Sequence, residues 1–287
     1  MRFRAVCFDL DGTLLDTLDD LAYCTNKILS ERGYPIHHVD ALRYFIGDGA
    51  KMLVTRVLPK KARNETLIEE CRKDFETIYR ECWSRQTVPY QGIPELLNAL
   101  TKRKLKLAVL SNKPQEFTVL TVNHLLQNWN FDVILGQREG VPKKPEPAGM
   151  LEICQQLRVS SEDFLYLGDT ATDMKTAVAA GCYPVGVLWG FRTEKELKDN
   201  GAQAIIKNPL VMFGFTFCLL LIYLLVYTFV RPKLFKTNKA IESSITGITK
   251  AVDLLILSFM AEAIEEVEEP ILAEALLQYL TSVLATR

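Results

Sequence analysis

The chain has 287 residues, 48% of them hydrophobic, which is enough for one α/β domain with an inserted or appended piece around a sizeable core. With 34 Lys+Arg against 35 Asp+Glu the formal net charge is -1, so no global basic field argues for a nucleic-acid partner. The seven cysteines are scattered without a C-x-x-C pair, which sets aside a zinc or disulfide framework and predicts reduced core thiols in a cytosolic domain.

Met1-Arg2-Phe3-Arg4 leads straight into an apolar run, Ala5 to Phe8, leaving no room for a signal peptide. The run reads as a buried strand that stops at Asp9-Leu10-Asp11-Gly12-Thr13. Side chains alternate along a strand, so Asp9 and Asp11 leave it on the same side if the extended geometry persists, while Gly12 lets the backbone turn sharply. Leu18, Leu21, Ala22, Thr25, Ile28 and Leu29 then recur at helical spacing, with Asp16 or Thr17 as N-cap and Gly33-Tyr34-Pro35 as the stop. Tyr44 to Gly49 breaks the pattern, a helix resumes through Met52, Leu53 and Val57, and a longer one carries Leu67, Cys71, Phe75, Ile78 and Cys82 on one face. Residues 17–88 are expected to hold helices and no strand.

From Pro89 strands alternate with helices, the signature of a parallel sheet with right-handed crossovers. Strands are expected at Leu105 to Leu110, Val133 to Leu135, Phe164 to Leu167, Val185 to Leu188 and Ala204 to Ile206, with helices opening at Pro94, Pro114, Pro147 and Thr172. The expected fold is therefore a doubly wound α/β core, residues 1–16 and 89–208, with a helical cap at 17–88 inserted after its first strand. Leu210 to Val230 carries no charged residue and matches the roughly 20 residues a membrane-spanning helix needs. It is read as a single-pass anchor with Arg231 and Lys233 at its flank, leaving the catalytic domain in the cytoplasm. Residues 231–287 read as an amphipathic helical tail with no chemistry of its own, and oligomeric state is not legible.

Three further segments carry chemistry. Ser111 sits where a strand gives way to a helix, a place suited to phosphate, although a serine there is often only a cap. Lys143-Lys144-Pro145-Glu146-Pro147 offers a cation ahead of a helix. In Gly168-Asp169-Thr170-Ala171-Thr172-Asp173 a strand-end carboxylate is followed four residues later by another, which supplies hard oxygen ligands for Mg²⁺.

Asp9-Leu10-Asp11-Gly12-Thr13 resembles the first motif of the haloacid dehalogenase superfamily, and these three segments resemble its second, third and fourth motifs, in order. The resemblance implies Asp9 as nucleophile and Asp11 as acid/base, with Ser111, Asn112 and Lys144 holding the phosphoryl group. It also implies Mg²⁺ bound by Asp9, Asp169, Asp173 and a backbone carbonyl of Leu10 or Asp11, the family pattern favouring Asp11. Phe45-Ile46-Gly47-Asp48-Gly49-Ala50 with Arg56, Val109 to Pro114, Ala180-Gly181-Cys182 and Trp189-Gly190-Phe191 resemble the phosphoglycolate phosphatase subgroup. Gly47, Gly49 and Arg56 are then expected to meet the non-reacting end of the substrate. The implied function is hydrolysis of a small phosphorylated metabolite, 2-phosphoglycolate foremost. A pyrophosphatase, a nucleotidase or a sugar-phosphate phosphatase are the alternatives within the superfamily, and a catalytically silent membrane-tethered scaffold the alternative outside it.

Overall fold

An apolar strand without polar alternation fits only where both faces of a sheet are covered, and Ala5–Phe8 (β1) is buried at every residue. The computed structural model describes residues 3–209. After β1 come a two-residue strand, β2 (Leu15–Asp16), and four helices, α1 (Leu18–Glu31), α2 (Val39–Leu42), α3 (Ala50–Val57) and α4 (Glu65–Cys82). The chain returns through β3 (Val88–Pro89) and then alternates. The order is α5 (Ile93–Lys102), β4 (Lys106–Pro114), α6 (Gln115–Leu125), β5 (Val133–Gln137), α7 (Ala148–Leu157) and β6 (Phe164–Gly168), followed by α8 (Ala171–Ala180), β7 (Tyr183–Val187), α9 (Glu194–Asp199) and β8 (Ala204–Ile206).

The six long strands form one sheet in the order β5-β4-β1-β6-β7-β8, every neighbouring pair parallel. The chain winds outward from β1 through β4 to β5, then crosses back to β6 and on to β8. Strand order therefore reverses at β1, and the crevice beyond its carboxyl end is the topological switch point where open α/β sheets bind ligands. Phe8 is level with Val109 of β4 and with Leu167 of β6, so Asp9, Leu110 and Gly168 reach the crevice together.

The cap has its own core. Leu21, Ile28 and Leu29 of α1 meet Leu53 of α3 and Cys71, Phe75 and Tyr79 of α4, and the cluster continues into Phe117 and Phe191 of the sheet domain. At the cap's root Asp20, almost wholly buried, accepts hydrogen bonds from the amides of Gln86 and Thr87 and from the Thr87 hydroxyl. One expectation is corrected here. Residues 17–88 are not free of strand, because Val88 pairs with Asp16, and Pro89 with Leu15, in an antiparallel clasp; a two-residue strand has no periodicity to read. The side chains of Cys24 and Cys82 meet between α1 and α4. They lie 58 residues apart on facing helices, a proximity that spacing alone does not reveal.

The short helices α2 and α9 were also not anticipated. Among the described residues no helix is long and apolar enough to cross a membrane. The expected span at 210–230 and the helical tail at 231–287 lie outside the described residues.

Candidate active site

Three strand ends build the site. Asp9 follows β1, Ser111 to Lys113 occupy the last turn of β4, and Asp169 follows β6, while Lys144 comes from the segment between β5 and α7. Lys144 is the hub. Its Nζ donates to Asp9 Oδ1 at 2.7 Å, to Asp173 Oδ1 at 2.7 Å and to the Leu110 carbonyl at 3.0 Å. All three ammonium hydrogens thus have acceptors, which is how a buried charge is tolerated. Burial opposes the charged form of Lys144, but Asp173 and Asp9 outweigh it and its pKa is raised, so it is a permanent cation.

Asp169 is held at both oxygens. The Thr13 hydroxyl donates to Oδ1 at 3.0 Å and the Phe191 amide to Oδ2 at 2.8 Å. Gly12, at φ +90°, makes this packing feasible: a Cβ there would lie 2.4 Å from Asp169 Oδ2. Asp173 has two duties. Its Oδ1 faces Lys144, while Oδ2 accepts from the amide and hydroxyl of Thr170 in a capping box that starts α8.

Asp9, Asp169 and Asp173 each offer a carboxylate oxygen within 4.8 Å of the others, and all three are buried. Their charges are poorly compensated. Burial and then the Asp173 charge push Asp9 well above the usual carboxylate range against the pull of Lys144. Burial and Asp173 likewise raise Asp169 to about 7, although the Phe191 amide and Thr13 hydroxyl oppose this. Three converging carboxylates facing one ammonium leave a deficit of positive charge, and hard oxygen donors in this number fit Mg²⁺.

Of the residues the sequence singles out, the structure brings Asp9, Asp11 and Ser111 into the lining of one cavity, together with Asn112, Gly47 and Gly49. Its volume is about 50 Å³, room for a few water molecules or a small leaving group. The side chain of Asn112 is engaged within the protein, which leaves its backbone for the phosphoryl contact the resemblance implies. The side-chain amide donates to the carbonyls of Gly47 and Lys144, and its Oδ1 accepts from the Lys144 amide at 2.9 Å. Asn112 thus joins the cap turn to the Lys144 segment.

Arg56 also stands elsewhere than expected. It is not among the cavity-lining residues, and its guanidinium donates to the Phe45 carbonyl and pairs with Asp48. Asp48 in turn accepts from the Thr172 hydroxyl on α8 at 2.8 Å, and its carbonyl accepts from Lys143 Nζ at 2.6 Å. Arg56 therefore braces the 45–49 turn while that turn is fastened to the sheet domain. Gly49, at φ +86°, brings the turn so close that a Cβ would stand 3.1 Å from the Asn112 carbonyl oxygen.

Lys113 was missed by sequence reasoning. Its side chain is only 5% exposed and forms a 2.5 Å salt bridge with Asp11 Oδ1. Burial disfavours the ammonium, but Asp11 and Tyr79 outweigh that and raise its pKa. The strand was expected to stop at Leu110, whereas β4 runs on to Pro114 with a shift of register after Leu110, and this carries Lys113 into the same cavity as Ser111. Tyr79, which reaches the cavity from α4, gave no signal, because an aromatic on an amphipathic helix reads as core.

Comparison with known proteins gives a consistent picture. The sequence profile of the haloacid dehalogenase-like hydrolases matches residues 6–187. A phosphoglycolate phosphatase of Pseudomonas putida is 32% identical over 209 residues, covering 71% of this chain and 76% of that protein. One from Colwellia psychrerythraea is 31% identical over 205 residues, covering 70% of this chain and 91% of the relative. Among solved structures, a predicted phosphoglycolate phosphatase of Haemophilus somnus superposes with a TM-score of 0.67 at 27% identity, covering 75% of this chain and 99% of that one.

Proposed function

The chain belongs to the haloacid dehalogenase-like hydrolase family and is a phosphoric monoester hydrolase, and from that premise we propose that it hydrolyses a small phosphomonoester, 2-phosphoglycolate first. The observation that carries this reading is the position of Asp9, with Lys144 Nζ 2.7 Å from its Oδ1 and the carboxylates of Asp169 and Asp173 beside it. The small cavity above it favours a compact leaving group over a nucleoside.

A phosphate monoester repels an anionic nucleophile, so attack by a carboxylate requires local positive charge. Asp9, Asp169 and Asp173, with the Asp11 carbonyl, would hold Mg²⁺, which when bound offsets charge on nucleophile and phosphoryl group alike. Asp9 then attacks phosphorus, forming an aspartyl-phosphate as the bond to the ester oxygen breaks. Asp11, in its protonated form, gives its proton to that departing oxygen and, then ionised, takes one from the water that hydrolyses the intermediate. Lys144 offsets charge beside the transferring group, and Ser111 orients it. The Asn112 side chain acts at one remove, holding Lys144 and the cap turn. Gly47 and Gly49 form part of the wall around the leaving group, with Arg56 supporting them from behind.

The test is phosphate release by the full chain over a panel of phosphomonoesters and pyrophosphate, with Mg²⁺ and with a chelator. Mg²⁺-dependent turnover led by 2-phosphoglycolate is expected. Preference for pyrophosphate, a nucleotide or a sugar phosphate would replace the substrate, and silence on every ester would favour a scaffold. On sequence grounds alone we also propose that Leu210 to Val230 anchors a cytoplasmic catalytic domain to a membrane. Recovery of the full chain in the carbonate-washed membrane fraction is expected, and recovery in the supernatant would remove the anchor.

A further inference from the structure

Toward the cap the cavity is walled by apolar side chains, Leu21, Ile46, Leu53 and Phe75, with Phe117 of the sheet domain beside them. Among the lining residues Lys113 is the only cation, and its ammonium sits between the core carboxylate Asp11 and Tyr79 of the cap, with Nζ 5.1 Å from the Tyr79 ring centre. Tyr79 is 1% exposed and fixed by a stacked contact with Phe75 and an edge contact with Phe117. Its hydroxyl is buried, and the polar group set against it is the Lys113 ammonium, with no acceptor found for its proton. An ammonium has only donors to offer, so Lys113 beside it leaves the Tyr79 proton without an acceptor. Buried hydroxyls in folded proteins are normally satisfied. A fixed cation and a fixed, unused donor therefore face the same apolar space.

We infer that Lys113 and Tyr79 form a receptor for a carboxylate on the leaving group, which selects phosphomonoesters carrying that carboxylate close to the ester oxygen. The inference rests on the proposed service of Asp11 to that oxygen. In 2-phosphoglycolate a single methylene separates the ester oxygen from the carboxylate carbon. An ester oxygen placed at Asp11 consequently brings the carboxylate to the ammonium that touches Asp11. Lys113 has three hydrogens to donate, so it can keep Asp11 and take the substrate, while Tyr79 donates its idle proton to the second oxygen. A carboxylate entering an otherwise apolar pocket needs both partners, because an unpaired buried charge is strongly disfavoured. The hydroxyls of a sugar phosphate would leave the ammonium without that additional anion.

The experiment compares kcat/KM of the full chain on 2-phosphoglycolate and on 2-hydroxyethyl phosphate, which replaces the carboxylate by an alcohol. Hydrogen bonds to charged groups are worth about tenfold or more in affinity, so Tyr79→Phe is expected to cost 2-phosphoglycolate roughly that much more than it costs the alcohol. Lys113→Met slows both through the loss of its Asp11 contact, with a further selective loss on the carboxylate, and Lys113→Arg restores part of the selectivity. Equal losses on both esters in Tyr79→Phe and Lys113→Met would overturn the receptor. O-phosphoserine and 3-phosphoglycerate separate the two readings. If the parent enzyme prefers one of them and the variants erase that preference, the receptor stands and 2-phosphoglycolate falls as the substrate.

Discussion

The sheet end and the cap present opposite chemistry to one small cavity. On the sheet side almost every polar group is already committed: Lys144 uses all three hydrogens, and Asp169 is held at both oxygens. On the cap side the wall is hydrocarbon with a single hydroxyl, that of Tyr79, whose proton has no acceptor. A saturated network fixes its members rigidly, which is what charge development in a transition state rewards. A sparse wall discriminates by what it cannot pair. On this proposal bond-breaking falls to Asp9 and its neighbours at the strand ends and choice of substrate to the place where Lys113 of β4 meets Tyr79 of the cap, and substitutions at the two should fail in different ways.

The hardest test of that division is Asp9→Asn. The amide is nearly isosteric but cannot serve as an anionic nucleophile, so multiple turnover should vanish on every ester while the circular dichroism spectrum and cooperative melting persist. Sustained phosphate release by a clean preparation would end the assignment. Asp11→Asn comes next. Losing acid–base assistance typically costs about 10² to 10⁴ in rate, again regardless of the ester, and mass spectrometry should detect phosphorylated protein where hydrolysis suffers more than transfer.

Metal removal addresses the sheet side without a mutation. Asp169 is pushed from 3.8 to about 7 by burial and by Asp173. A carboxylate whose folded pKa is raised binds more protons folded than unfolded between those values, so stability must fall as pH rises from 3.8 towards 7. Chelated protein is therefore expected to melt at a lower temperature at pH 7 than at pH 5, and added Mg²⁺ to lift the pH 7 value most. A melting temperature indifferent to Mg²⁺ at pH 7 would mean that the carboxylates do not share a cation.

The smallest effect belongs to Arg56→Ala. Its ion pair with Asp48 is about one-quarter exposed, and partly exposed pairs contribute about 0 to 1 kcal/mol. A modest drop in melting temperature and a few-fold rise in KM are expected, equal for 2-phosphoglycolate and 2-hydroxyethyl phosphate. A loss confined to the carboxylate would transfer the receptor from Lys113 and Tyr79 to Arg56.

The strand ends were legible because their constraints are local. A buried strand must stop, and a carboxylate or hydroxyl at the stop has a defined side, so Asp9, Asp11, Ser111 and Asp169 could be placed from spacing. What escaped was set by contacts between distant segments. Asn112 meets Gly47 across 65 positions and Lys144 across 32. Cys24 and Cys82 face each other only because α1 and α4 pack together. Asp173 looked like a ligand and nothing more, although its Thr170 partner three residues earlier spells a helix cap. Arg56 was assigned to the substrate by the resemblance of the cap segment, which says nothing of its pairing with Asp48, eight residues away.

The clasp between Leu15–Asp16 and Val88–Pro89 has an evolutionary meaning. The whole cap leaves and re-enters the sheet domain through two strands that touch, so the intervening chain is a cassette whose ends stay fixed whatever lies between them. Because loop-closure entropy grows only slowly with length, a lineage can lengthen, shorten or replace that cassette without disturbing β1, β4 or β6. Exchange of residues 17–87 between relatives would thus carry the cap's share of substrate preference, that of Tyr79 and its neighbours, from donor to recipient, while Asp9 and its neighbours go on with the same reaction. One ancestral sheet domain can in this way furnish a repertoire of phosphatases by recombination at a single doorway.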